Sequence, residues 1–388
     1  MQICICRIRV EEWIKISDLL FFQEGPGVRN TQYTQSGVKL LNVANLVNGK
    51  VDLSTSDRYI SEDEAYGRYK HFLCDDGDFI IASSGIKVEY FDRKMGFVDS
   101  SMLPLCMNTS TIRFKVIDSK RLNIKYFMYY LKSIHFKQQL SKFITGSAQL
   151  NFGPSHLKKM NMPLVSLKEQ NDIVEKLSKV ELLLDKYNGE IKLLDELIKA
   201  RFVEMFGNPV SNSKDLPVQK MNNVAPICQY DGSFEESVWL LNLDMVESQT
   251  GRIINYNIVS KDEIGGSVCT FDENNVLYSK LRPYLNKVVV PDGKGYATSE
   301  LVPLRPDPKI INRIYLAYLL RSNEFVEMIK EKVAGAKMPR VSMSDFREFN
   351  IPVPPLELQN QFASFVEEID KSRLLSNHSL FLIKSLIF

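Results

Sequence analysis

Between Leu167 and Phe206 apolar residues recur at alternating steps of four and three: Ile173, Leu177, Val180, Leu184, Tyr187, Ile191, Leu194 and Ile198. That is the period of a coiled-coil seam, and every seam position is filled. Ser166-Leu-Lys-Glu169 is a capping box that opens the helix, and Phe206-Gly-Asn-Pro209 supplies a glycine cap and a proline stop. At 1.5 Å per residue such a helix is about 60 Å long. A seam of this length requires a partner. A second helix is predicted after Pro354-Pro355, starting near Leu356, with Phe362, Val366 and Ile369 in the same register. Arg373 and Ser376 take the next seam positions, so the register is expected to weaken there in favour of a stripe through Leu374, Leu375, Leu380 and Ile383. The second helix is shorter: it reaches Phe388, the equivalent of Lys199, before any counterpart of the Phe-Gly-Asn-Pro stop. The two helices are expected to pair antiparallel.

Compared with itself at a shift of 189 residues, the chain repeats. Asn123–Asn171 lies on Asn312–Asn360 without a gap. Asn123, Tyr126, Tyr129, Leu131, Ser133 and Phe136 meet Asn312, Tyr315, Tyr318, Leu320, Ser322 and Phe325. Gly146, Ser155, Asn161, Pro163, Leu167, Gln170 and Asn171 meet Gly335, Ser344, Asn350, Pro352, Leu356, Gln359 and Asn360. These are 13 identities in 49 positions, where composition alone gives about three. Upstream the likeness persists but drifts: Leu40-Leu-Asn-Val43 resembles Leu240-Leu-Asn-Leu243 at a shift of 200, and Asp78-Phe-Ile-Ile81 resembles Asn275-Val-Leu-Tyr278 at a shift of 197. One scaffold used twice, with differing loops, is the pattern of two modules that recognise different things.

Length and composition agree with this plan. The 388 residues suffice for two domains, and 44% apolar with 25% charged residues is ordinary globular composition. No apolar run approaches the ~18 residues of a membrane span, and Met1–Val10 is too short and charged for a secretory signal, so a cytoplasmic protein is expected. Cys4, Cys6, Cys74, Cys106, Cys228 and Cys269 are scattered without a Cys-x-x-Cys pair, which favours reduced thiols over a metal site. Net charge is only +2, but from Ser119 to Lys168 there is no acidic residue among nine basic ones, namely Lys120, Arg121, Lys125, Lys132, Lys137, Lys142, Lys158, Lys159 and Lys168. A basic lobe beside an acidic helix suits phosphate contact by the lobe, or equally a lysine-rich solvated face.

The layout resembles the specificity subunit of type I restriction–modification systems. Arg201-Phe-Val-Glu-Met-Phe-Gly-Asn-Pro209 is similar to that family's end-of-helix motif. Asn161-Met-Pro-Leu-Val-Ser-Leu-Lys-Glu-Gln170 and Asn350-Ile-Pro-Val-Pro-Pro-Leu-Glu-Leu-Gln359 resemble its passage into each helix. Gly25-Pro-Gly-Val-Arg29 and Tyr278-Ser-Lys-Leu-Arg-Pro-Tyr-Leu-Asn-Lys287 resemble its recognition domains. The chain departs from the pattern in the first domain, where Ile80-Ile-Ala-Ser-Ser-Gly-Ile-Lys87 replaces the Arg-Pro-Tyr-Leu loop, and in the distal helix, which is short. The resemblance implies a non-catalytic subunit that binds a split double-stranded DNA site, one half per domain. Two methyltransferase subunits would dock on the helices, and restriction subunits could join. It implies no cofactor on this chain, with S-adenosylmethionine, ATP and magnesium on the partner subunits, and no membrane association.

The residues are consistent with the lack of a catalytic centre. Asn208-Pro209 is followed by Val210, which does not make an adenine methyltransferase motif. No Gly-x-x-x-x-Gly-Lys-Ser/Thr loop occurs. Pro291-Asp292 with Glu300 is a nuclease-like spacing, but Val302 stands where a lysine is required, and Pro291–Gly295 reads as a turn. His71, His135, His156 and His378 are isolated. The alternative is a DNA methyltransferase or nuclease with unrecognised motifs; a coiled-coil scaffold without a DNA role is a third reading. For base and phosphate contact the candidates are Ser83, Ser84, Lys87, Gln149 and Asn151 in the first domain, and Ser279, Lys280, Arg282, Lys287, Lys337 and Arg340 in the second.

The expected fold is therefore α/β (α+β): two similar target recognition domains separated by long helices that form an antiparallel intramolecular coiled coil. The expected boundaries are 1–165 for the first domain, 166–207 for the central helix, 208–354 for the second domain and 355–388 for the distal helix. Half-sites would lie about one to two duplex turns apart, at ~34–36 Å per turn, in an asymmetric site.

Overall fold

In a computed structural model, which describes residues 12–142, 150–334 and 338–387, the chain divides into two compact units. The first is Met1–Lys186 with Ser379–Phe388, and the second is Tyr187–His378. The division falls inside the central helix, Leu167–Phe206, and not at its ends. The distal helix is Leu356–Ile387.

Each unit is α+β, built on one plan. In the first, Val38–Leu41 runs parallel to Leu105–Met107, with Leu40 opposite Cys106. In the second, Ser237–Leu241 runs parallel to Gly295–Thr298, with Leu240 opposite Tyr296. A neighbouring antiparallel ladder pairs Phe79–Ala82 with Thr111–Val116 in the first unit and Val276–Ser279 with Leu301–Leu304 in the second. The strands alternate little in burial because both faces are covered: Phe79, Ile80, Ile81 and Ala82 are all fully buried, as are Val276 and Leu277. A short antiparallel pair then ties the start of each unit to its end, Glu12–Lys15 with Asn161–Leu164 and Val218–Lys220 with Asn350–Pro352.

The repeated residues have common structural roles. Tyr126 donates its hydroxyl to the Pro163 carbonyl at 2.9 Å, and Tyr315 donates to that of Pro352 at 2.8 Å. Ser133 and Ser322 cap the short helices Ile134–Ser141 and Asn323–Lys330. Gln170 and Gln359, both fully buried, each accept from the backbone N–H of the repeated asparagine, Asn123 or Asn312, at 2.8 Å. Their amide groups donate to Arg121 and Val165 carbonyls in one unit and Ile310 and Pro354 carbonyls in the other. Each glutamine thus fastens the first turn of its long helix to the globular part before it.

The capping box forms: Ser166 Oγ accepts from the Glu169 N–H at 3.3 Å, while the Glu169 carboxylate accepts from the Ser166 N–H at 3.2 Å. The helix ends where Gly207 adopts φ +71°, a left-handed conformation that also brings its backbone against Ser213. The motif before that glycine is a set of aromatic pegs. Phe202 stacks on Tyr315 at 5.7 Å, and Phe206 packs edge-on against Tyr315 at 4.8 Å and Phe362 at 5.6 Å.

Within the second unit the two helices run antiparallel, since Phe202 meets Phe362 while Asp195, earlier on the central helix, meets Arg373, later on the distal one. Along the central helix Ile173, Leu177, Val180, Leu184, Tyr187, Ile191 and Leu194 are half-buried and Ile198 is buried. Phe362 and Val366 are buried and Ile369 is half-buried. The expected weakening of register after Ile369 is corrected. Ser376 is buried and Arg373 half-buried, whereas Leu374 is 68% exposed. The seam continues through polar residues because Arg373 finds a carboxylate across it, at 2.7 Å from Asp195. The side chains of Leu375, Leu380 and Ile383 lie outside those described. Among the described residues no helix is long and apolar enough to cross a membrane, and no group of His, Cys, Asp and Glu could hold a metal ion.

Candidate nucleic-acid interface

The two candidate loops of each unit meet through backbone pairing. In the second unit Leu281 forms a β-bridge with Arg340, the Arg282 N–H donates to the Pro339 carbonyl at 2.8 Å, and the Val341 N–H donates to that of Lys280 at 2.9 Å. In the first unit Ser84–Ile86 pairs antiparallel with Leu150–Asn151, and Ser84 lies opposite Asn151. Position 340 is position 151 at the 189-residue shift, and position 281 is position 84 at the 197-residue shift seen upstream. Both units therefore build the same bridge. They place asparagine on it in one case and arginine in the other.

On the second bridge Arg340 is exposed and its guanidinium lies against the Glu300 carboxylate, with Nη2 to Oε1 2.9 Å and Nε to Oε2 3.3 Å. Glu300 also accepts the Lys280 N–H on its carbonyl at 3.0 Å, so the carboxylate is set by the backbone beside the bridge. Arg282 is exposed and held at φ +49° before Pro283, with Tyr284 two residues on and 40% exposed; Met338, two residues before Arg340, is 47% exposed. Lys280 is half-buried. On the first bridge Asn151 and Lys87 are exposed, and the Ser84 hydroxyl donates to that of Ser110 at 2.7 Å, Ser110 itself lying at φ +63°.

Three candidates support the loops and do not lie on their surface. Ser83 is buried, with its Oγ 3.5 Å from a Glu24 carboxylate oxygen. Ser279 is buried and donates to the Leu281 carbonyl at 2.9 Å. Lys287 is half-buried, donates to the Leu243 carbonyl at 2.6 Å, and is held below the usual lysine range by burial. The polar atoms of these side chains are already occupied inside the unit. Gln149 and Lys337 lie outside the described residues.

The charge pattern is also reorganised by folding. Lys132 pairs with Glu181 at 2.6 Å and Lys137 with Asp92 at 3.0 Å, so two lysines of the acid-free stretch are neutralised by carboxylates from outside it. The nuclease-like pair is dispersed into separate contacts: Asp292 accepts from the Tyr256 hydroxyl at 3.2 Å, while Glu300 faces Arg340. Nothing in the local motif of Glu300 marks it as the partner of a residue 40 positions away. Burial pushes the thiols of Cys74 and Cys106 up to about 12 and that of Cys269 to about 11, the environment of packing groups.

Comparison with known proteins gives the same picture. The family model described as the type I restriction modification DNA specificity domain matches residues 12–194 and 244–383. The chain is 27% identical over 124 residues to the type I restriction enzyme EcoDI specificity subunit of Escherichia coli, a match covering 32% of this chain and 27% of that protein. It is 25% identical over 181 residues to the MjaVIII specificity subunit of Methanocaldococcus jannaschii, covering 45% of this chain and 41% of that one. These matches span well under half the length of either relative. Across its whole length the fold superposes on the S subunit of a type I restriction–modification system from M. genitalium with a TM-score of 0.57, at 15% identity and 97% coverage of that chain. With its duplicated unit, long helices and matched family model, the chain belongs to the type I restriction–modification DNA specificity family.

Proposed function

We propose that this chain is the DNA-specificity subunit of a type I restriction–modification complex. It reads a bipartite, asymmetric site and itself performs no chemistry. The observation that carries this reading is the repeated bridge, which sets unlike side chains at one place on a common scaffold. Asparagine suits adenine, through a bidentate contact to N6 and N7, and arginine suits guanine, through O6 and N7. Residues 1–165 and 208–354 would be the target recognition domains, and 166–207 and 355–388 the helices between and after them.

Two methyltransferase subunits would dock on the helices, with restriction subunits joining them. S-adenosylmethionine, ATP and magnesium would belong to those partners, and the complex would work in the cytoplasm, where the chromosome is. Co-expression with its methyltransferase tests the whole reading. The expected result is a stable complex that methylates adenine at a split motif, lost when this chain is omitted. A chain that binds S-adenosylmethionine or modifies DNA alone would overturn it in favour of an enzyme.

A further inference from the structure

The duplication provides an internal control for a second site. In the first unit Lys132 and Tyr129 both address Glu181 of the central helix, the lysine at 2.6 Å and the tyrosine hydroxyl at 2.8 Å. At the 189-residue shift the same three positions are Arg321, Tyr318 and Asp370. The arrangement is not repeated. Asp370 is paired with Arg373 on its own helix. Arg321 instead donates through Nε and Nη2 to one carbonyl, that of Val288, at 3.0 and 2.5 Å, and lies 5.3 Å from the Tyr318 ring. Among the described residues it makes no ion pair. Gly251, at φ +67°, passes so close that a Cβ there would collide with the Val288 carbonyl and the Arg321 guanidinium.

Arg321 lines a cleft of about 560 Å³ that lies wholly within the second unit, a size typical of small-molecule sites. Two of its three carboxylates are already engaged: Asp195 is held by Arg252, 2.5 Å from both oxygens, and by Arg373 at 2.7 Å, and Asp370 by Arg373. Lys199, Arg252, Arg321 and Arg373 outnumber Asp195, Asp370 and Glu324 around the cleft. Part of the remaining wall is apolar, with Val203, Ile253, Tyr256 and Val290, and part is polar, with Gln249, Thr250 and Asn323. We propose that this cleft binds an amphipathic anion: a flat apolar body against the apolar part of that wall, carrying one carboxylate, sulfonate or phosphate group that rests on Arg321. A half-buried guanidinium that bonds a carbonyl and touches no carboxylate is incompletely compensated, and a charge-assisted contact from an anion relieves it. Burial is the largest influence on Arg321 and lowers its pKa, against the opposing pull of Tyr318 and Asp370, and Arg252 and Arg373 act in the same sense as burial. The proposal is independent of the DNA reading, since no residue of either bridge lines the cleft.

Titration of the full chain with anilinonaphthalene sulfonate, followed by fluorescence and calorimetry, tests it. One saturable site per chain is expected, and the uncharged phenylnaphthylamine should bind about tenfold more weakly, the worth of one charge-assisted hydrogen bond. Arg321→Met should weaken the sulfonate to the level of the neutral probe, while Lys132→Met, at the equivalent place in the first unit, should leave it unchanged. Should Arg321→Met fail to fold for want of its Val288 contact, Val203→Trp fills the cleft from a half-exposed position on the helix and should abolish binding. Absence of a saturable site overturns the proposal. So does equal binding of both probes, or a site indifferent to Arg321→Met and Val203→Trp.

Discussion

Gln170 and Gln359 show what the repeat conserves at the scale of single residues. Each is fully buried and satisfies three backbone groups, one N–H and two carbonyls, at the joint between globular part and helix. Replacing either with leucine keeps the volume and strands those groups, so Gln170→Leu and Gln359→Leu should each cost about 2–4 kcal/mol. Denaturant melts of the two variants should show comparable losses; a loss confined to one would mean that the joint is not truly duplicated. Glu300 acts differently. Its carboxylate orients the exposed Arg340 guanidinium without belonging to the core. If Arg340 reads a base as proposed, Glu300→Ala should therefore leave the melting curve nearly unchanged while reducing discrimination at that base. A salt-dependent loss on every sequence alike would instead make Arg340 a phosphate contact. The glutamines were visible in the sequence because both copies retain them. Glu300 was not, because a surface partner brought in from another strand leaves no periodic or repeated mark.

The long helices were the most legible elements, because a heptad pattern and caps are local signals. Leu167–Phe206 follows directly from the Ser166–Glu169 box and the Gly207 stop. The distal helix was harder to read, since a seam is recognised by apolar residues and Arg373 and Ser376 are polar. What sustains the register is charge: Asp195 of the central helix holds Arg373 across the seam and Arg252 from the globular part. Because these groups are only partly shielded, Asp195→Ala should destabilise the second unit by about 1–3 kcal/mol, below the range for a fully buried pair. The double change Asp195→Leu with Arg373→Leu should recover part of that loss, with poorer specification of register. A second loss as large as the first would show that the arginine contributes by packing alone. The same helix also carries apolar residues off the seam, Leu193 at 65% and Leu197 at 47% exposed, one turn apart. If a methyltransferase docks on this helix, Leu193→Glu with Leu197→Glu should abolish its co-purification while helical content is retained. Unchanged co-purification would place the partner elsewhere.

For the whole molecule, duplication with divergence means that one structural position should control two different bases. Ser84 opposite Asn151 and Leu281 opposite Arg340 are the same bridge, found at shifts of 197 and 189 that the drifting loops hid from simple alignment. The downstream scaffold was readable in the sequence because its identities fall in register. The bridge was not, because it is assembled from segments some 60 residues apart whose spacing differs between the copies. This makes a specific forecast for the methylated motif of the assembled complex. Arg340→Asn should relax or change one base in one half of the motif and leave the other half intact, at a cost of about 1–3 kcal/mol on the original sequence. Asn151→Arg should do the same to the opposite half. Sequencing that detects methylated adenine across the host chromosome reads both outcomes directly. A palindromic wild-type motif, or a single substitution that alters both halves, would mean that the two units do not read separately.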